Sequence, residues 1–206
     1  MAEVWTKLCG CTSWPEVRMA LDAGADAFGM IFAASPRRIT ATASADIARH
    51  VPPQITPVAV FVDPSRGEVE AVRALFPRAL LQFSGDEPPG FVRRYGDRAI
   101  KTLHVGAPWE QIAQRATRYP ESLLLLDCSD AGLAGGTGRT FDWARAAALV
   151  ASRRVIVAGG LTPKNVAACL ESVQPFGVDV RSGIETAGRK DPQKMRAFVQ
   201  AVREWR

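Results

Sequence analysis

Two side chains stand where a chain of alternating strands and helices would place its chemistry. Cys9 closes an apolar run that begins at Val4, and Asp127 closes the run Leu123-Leu124-Leu125-Leu126. A carboxylate after four leucines is a poor packing choice, because an apolar residue would fill that layer without the cost of burying a charge. The plain alternative is that Asp127 caps a loop or pairs with an arginine. Cys9 alone is weaker evidence, since cysteine often serves as a small buried hydrophobe. At a strand end facing an anionic ligand, however, a thiol can ionise and act as a general base.

Two glycine turns suggest what such a pair would act on. Ala158-Gly159-Gly160-Leu161-Thr162-Pro163 follows one apolar run, and Arg181-Ser182-Gly183-Ile184 follows another. Glycine lets backbone N–H groups approach an anion closely, and a helix N-terminus adds a favourable dipole. A phosphate grip is the functional reading of these turns; tight connections alone are the other. Arg37 and Arg38 sit in Ala34-Ser35-Pro36-Arg37-Arg38, where one of them could hold a carboxylate through a bidentate fork or simply be solvated. His104 closes a strand and could line the same mouth, but it reads as structural, as do Cys11, Cys128 and Cys169; His50 reads as a surface residue.

The elements that must position these groups follow from apolar patterning. Eight short runs read as strands: Val4 to Cys9, Ala27 to Phe32, Pro57 to Val62, Ala79 to Phe83, Ala99 to Leu103, Ser122 to Asp127, Val155 to Ala158 and Gly177 to Val180. Helical patterns lie between them. Trp14 to Ala23 follows Ser13 as a cap, with Pro15 in its first turn and Gly24 beyond its end. Ser44 to His50, Arg66 to Phe76 capped by Ser65, Pro89 to Tyr95, Trp109 to Tyr119, Trp143 to Ser152 capped by Asp142, Pro163 to Ser172 capped by Thr162, and Pro192 to Trp205 complete the set. Eight strand–helix units in 206 residues imply a single-domain (β/α)8 barrel spanning the whole chain. An open doubly wound sheet is the runner-up, but its G-x-G-x-x-G fingerprint is missing. In a barrel, active sites sit where strands end, and the loops after strands seven and eight commonly grip phosphate.

Composition narrows the class. Hydrophobic residues make up 47% of the chain, enough for a sizeable core, and no apolar run approaches the ~20 residues that span a bilayer. No membrane association is expected, and with no signal peptide the expected location is cytoplasmic. Four cysteines without a C-x-x-C pair and only two histidines argue against a metal, and nothing points to a cofactor. The net charge of +5 comes from scattered pairs such as Arg93-Arg94 and Arg153-Arg154, not a stripe. That favours a small anionic substrate over nucleic acid. Monomer and homodimer both stay open.

The motifs resemble one family from the first strand to the last. Lys7-Leu8-Cys9-Gly10-Cys11-Thr12 resembles the K-[IV]-C-G-[IL]-T opening of phosphoribosylanthranilate isomerases. Ala23-Gly24-Ala25-Asp26-Ala27-Phe28-Gly29 is similar to its A-G-A-D-x-x-G, and Ser35-Pro36-Arg37 to its S-x-R. Gly135-Gly136-Thr137-Gly138, with Phe141-Asp142-Trp143, resembles G-G-[ST]-G-x-x-F-[DN]-W. Gly159-Gly160-Leu161 with Asn165-Val166, and Val178-Asp179-Val180-Arg181-Ser182-Gly183-Ile184-Glu185, match two further motifs.

The resemblance implies an Amadori rearrangement of N-(5′-phosphoribosyl)anthranilate in tryptophan biosynthesis. It implies Cys9 as general base, Asp127 as general acid, Arg37 and Asp179 as substrate-binding residues, and Gly159, Gly160, Ser182 and Gly183 as the phosphate site. Three departures stand out: Ser84 replaces a usual histidine in Gln82-Phe83-Ser84-Gly85, Arg181 replaces a usual serine, and Cys11 stands where isoleucine or leucine is common. They leave open a relative that rearranges a different phosphosugar, and a barrel that binds phosphorylated ligands without turning them over.

Overall fold

The computed structural model describes residues 3–105, 108–127 and 143–205. Cys128, the glycine-rich run at 135–138 and the expected Asp142 cap lie outside the described residues. Eight parallel strands close into a barrel in sequence order: β1 (Trp5–Cys9), β2 (Ala27–Ile31), β3 (Thr56–Phe61), β4 (Leu80–Phe83), β5 (Ala99–His104), β6 (Leu123–Asp127), β7 (Val155–Ala158) and β8 (Gly177–Val180). β8 pairs back onto β1, with Lys7 opposite Asp179.

The helices are α1 (Trp14–Asp22), α2 (Ala41–His50), α3 (Arg66–Leu75), α4 (Pro89–Val92), α5 (Trp109–Thr117), α6 (Ala147–Ser152), α7 (Val166–Val173) and α8 (Pro192–Glu204). Ser65 and Glu68 form a reciprocal capping box on α3. Several expected boundaries are corrected. The Ser13 side chain makes no cap bond; α2 starts at Ala41, because Thr40 accepts the Ala43 N–H. α7 starts at Val166 and not at Pro163, with Asn165 in the cap position that Thr162 was expected to fill. The expected helix over Pro89 to Tyr95 splits at Val92 and continues as a tighter turn from Arg93 to Arg98. Beyond the expected elements, β9 (Glu185–Thr186) and β10 (Arg189–Lys190) form a hairpin after β8. Its two central residues, Ala187 and Gly188, both have positive φ (49° and 74°), the signature of a tight primed turn.

Alternation along the strands explains the apolar runs and places the site. Residues at i and i+2 share a face. On β6, Leu124 and Leu126 pack into the layer against the helices, while Leu125 packs inside the barrel with Ala27, Val58, Ile100 and Ile156. Both faces are buried, so the sequence shows a continuous leucine run and not an alternating one. Asp127 falls on the inner face, two residues past Leu125. The same parity on β1 turns Leu8 outward and Lys7 and Cys9 inward. Among the described residues no helix is long and apolar enough to cross a membrane.

Candidate active site

A cavity of about 270 Å³ opens at the C-terminal end of the barrel. Cys9 lines it from β1, Asp127 from β6, Asp179 from β8, and His104 and Ser84 from the strand ends between. β6 and β1 are separated on the ring by β7 and β8, so thiol and carboxyl approach the cavity from different walls. Gly159, Gly160 and Ser182 line the same cavity. Gly159 and Gly160 have φ of 88° and 67°, a backbone that side-chain-bearing residues rarely adopt. Gly183 completes the second turn by close approach: a Cβ there would lie 1.9 Å from the Leu161 carbonyl oxygen. The two glycine turns therefore touch, as neighbours in a closed barrel should. Asn165 pins the first, donating to the Gly160 carbonyl (3.0 Å) and accepting the Thr162 N–H (2.7 Å).

Beneath Cys9 lies a buried polar chain. The Lys7 ammonium is fully buried and donates to Asp179 Oδ2 (2.8 Å) and Gln82 Oε1 (3.0 Å). Gln82 donates onward to Ser84 Oγ (3.1 Å) and Thr102 Oγ1 (3.3 Å), and His104 Nε2 meets the Ser84 carbonyl at 2.9 Å. Ser84, at the position where histidine is usual, is thus part of the hydrogen-bonded wall. Burial pushes the Cys9 thiol above its ordinary pKa, and the Lys7 charge opposes that rise. Burial also works against the Lys7 charge, but Asp179 and then Cys9 outweigh it, and the ammonium titrates above its ordinary value. Cys11 and Cys169 are both pushed up to about 12 by burial, which fits their structural reading.

Arg37 is engaged within the protein itself. Its guanidinium grips Glu185 through Nε (2.7 Å to Oε1) and Nη2, and Lys190 Nζ reaches the same carboxylate at 2.9 Å. Lys190 also donates to the carbonyls of Cys9 and Arg181. Ala33, Ala34 and Ser35 line the cavity, while the Arg37 side chain lies beside it. Arg181 does line the cavity. A Cβ on Gly10 would meet Arg37 Cδ at 3.1 Å, Arg181 Cγ at 3.4 Å and Lys190 Nζ at 3.6 Å, so three cationic side chains converge there.

Sequence reasoning singled out Cys9, Asp127, Asp179 and the glycine turns, all of which meet here. It missed the roles of Lys7, Gln82, Asn165, Glu185 and Lys190. For Lys7 a signal existed: a lysine two residues before Cys9 on an apolar strand must share its inner face. For Lys190 none existed, since only the hairpin carries it back to Cys9.

The closed barrel with an acid, a thiol and adjoining glycine turns at its C-terminal mouth defines a single-domain (β/α)8-barrel enzyme. The family model described as N-(5′-phosphoribosyl)anthranilate (PRA) isomerase matches residues 6–201. The N-(5′-phosphoribosyl)anthranilate isomerase of Desulforudis audaxviator is 44% identical over 198 residues, covering 96% of this chain and 97% of that protein. The crystal structure of phosphoribosyl anthranilate isomerase from Thermotoga maritima superposes with a TM-score of 0.87 at 32% identity, covering 97% of this chain and 98% of that one. A structure of such an enzyme in complex with reduced 1-(o-carboxyphenylamino)-1-deoxyribulose 5-phosphate superposes at 0.84 with 31% identity, over 97% and 98% of the two chains. This chain belongs to the N-(5′-phosphoribosyl)anthranilate isomerase family.

Proposed function

We propose that the cavity converts N-(5′-phosphoribosyl)anthranilate to 1-(2-carboxyphenylamino)-1-deoxyribulose 5-phosphate, a step of tryptophan biosynthesis. The carrying observation is that Cys9 and Asp127 line one cavity from separate walls, beside the two touching glycine turns. Asp127 gives its proton to the furanose ring oxygen, the bond from that oxygen to C1′ breaks, and a protonated Schiff base forms. Cys9, as thiolate, removes the proton on C2′; the electron pair of that bond becomes the C1′–C2′ double bond of an enolamine, which tautomerises to the ketone.

Gly159, Gly160, Ser182 and Gly183 hold the phosphate. Asp179 contributes to substrate binding: among the described residues its Oδ1 is buried without a hydrogen-bond partner, and the residue lines the cavity, so it suits a substrate hydroxyl. Arg37 and Arg181 supply positive charge for the anthranilate carboxylate at the rim, with Arg37 sharing its fork with Glu185. The test is a steady-state assay following loss of substrate fluorescence for the wild type, Cys9→Ala and Asp127→Asn. Turnover by the wild type and its collapse in both variants is expected. No turnover by the wild type would overturn the substrate assignment, and near-normal turnover by either variant would remove that residue's role.

A further inference from the structure

We propose that Lys7 is a positioning residue for the proton abstraction: clamped by Asp179 and Gln82, it aims its remaining N–H at the Cys9 sulfur and holds the thiolate there. The proposal rests on the reading of Cys9 as base and explains how a buried thiol becomes one.

Four observations carry it. Strand alternation puts Lys7 and Cys9 on one inner face of β1. Gly29 on the neighbouring strand leaves them a shared space, since a Cβ there would lie 2.7 Å from Cys9 Sγ and 3.0 Å from Lys7 Cε. An ammonium has three donors; Asp179 and Gln82 take two and fix the ammonium on the lumen face, which leaves one N–H to turn to the sulfur two residues on. Finally, a buried ion pair is often no more stabilising than apolar residues of like volume, so Lys7–Asp179 is weakly explained by stability alone.

The charged groups around Cys9 leave this task to Lys7. On β8, Asp179 opposes the thiolate but neutralises Lys7 and fixes its direction. From the hairpin, Lys190 is bonded to the Cys9 carbonyl and to Glu185, with Arg37 behind that carboxylate. Arg181 sits at the rim, while Asp127 and His104 line the cavity from β6 and β5. From β2 and β3, Gly29, Ile31 and Val60, none of them charged, pack against Cys9.

The experiment measures Cys9 ionisation directly. In a chain whose Cys11, Cys128 and Cys169 are replaced by alanine, the thiolate is titrated by ultraviolet absorbance and by the pH dependence of iodoacetamide alkylation. Lys7→Met and Lys7→Met/Asp179→Asn are compared with the parent; the double variant leaves no buried charge unpaired. The midpoint should rise in both, so that the thiolate fraction at neutral pH falls about tenfold or more in Lys7→Met and by a smaller factor in the double variant, where the opposing Asp179 charge is gone as well. The ascending limb of kcat/KM against pH should move to higher pH by the same interval. An unmoved midpoint overturns the proposal whatever the activity. A moved midpoint with an unmoved rate profile overturns instead the reading of Cys9 as base. The wild type supplies a check independent of folding: with isotope-labelled lysine, the Lys7 ammonium resonance should shift with the midpoint of the Cys9 titration, and an ammonium signal indifferent to that titration overturns the proposal.

Discussion

Two buried lysines, on opposite faces of the barrel wall, carry their charge to different ends. Lys101 on β5 points into the layer between strands and helices, and Lys7 on β1 points into the lumen. Lys101 donates to the Phe83 and Gly85 carbonyls and to Glu87 Oε2 (2.6 Å), and it lies 5.7 Å from the centre of the Tyr119 ring. Glu87 is equally committed, with Oε1 accepting the Asp63 and Gly85 N–H groups at 3.0 Å. Every donor of Lys101 is tied to a backbone or carboxylate oxygen, so the charge locks the loop after β4. Lys7 is held by one carboxylate oxygen and one side-chain amide oxygen, and its third N–H is the one proposed to face the Cys9 sulfur. The difference teaches that a buried charge holds a fold when all its donors are spent on partners away from the cavity, and is available to chemistry when one donor is left beside a group that lines it.

The comparison can be broken at several points. The largest effect is expected in the lumen, where Cys9→Ala and Asp127→Asn should each lower kcat by roughly 10²–10⁴. Thermal melting should change little, and assay and melt together check this. Lys101→Met should do the opposite. It leaves Glu87 buried and unpaired, costs about 3–5 kcal/mol in denaturant unfolding, and leaves the kcat of the folded fraction near that of the wild type. At the mouth, Arg181→Ser should raise KM about tenfold, with a smaller change in kcat, by removing a charge-assisted bond to the substrate.

The smallest effect belongs to Glu185. Burial alone would raise its carboxyl, but its bonds to Lys190 and Arg37 prevail and hold its pKa below the ordinary value. Its folded pKa is thus the depressed one. The stability it contributes is complete above the unfolded carboxylate pKa of about 4.3 and is lost as pH falls through the folded value. Glu185→Gln should flatten the acid side of the melting temperature–pH curve and leave the neutral side nearly level.

Much of the site was legible because the chemistry lies at strand ends, where apolar runs stop. The Leu123–Leu126 run announced both a strand buried on two faces and the position of Asp127. Glycine pairs marked the turns, since few other residues tolerate their backbone. Helix starts were less legible. Thr162 was expected to cap the seventh helix, but that helix begins at Val166, and the Asn165 side chain before it bonds to the loop at Gly160 and Thr162. Arg37 was legible as a cation near the mouth, but its grip on Glu185 was not, because that carboxylate arrives through a hairpin with no strong apolar pattern.

By itself the sequence determined eight strand–helix units and set Cys9 and Asp127 at the ends of two strands, because run length is a local property of the chain; which face each side chain takes came from the packing of both sides of the wall. Only the tertiary structure decided that Lys7 meets Asp179. That meeting depends on β8 closing against β1 in one register, and a shift of a single residue would turn either side chain to the other face of the wall.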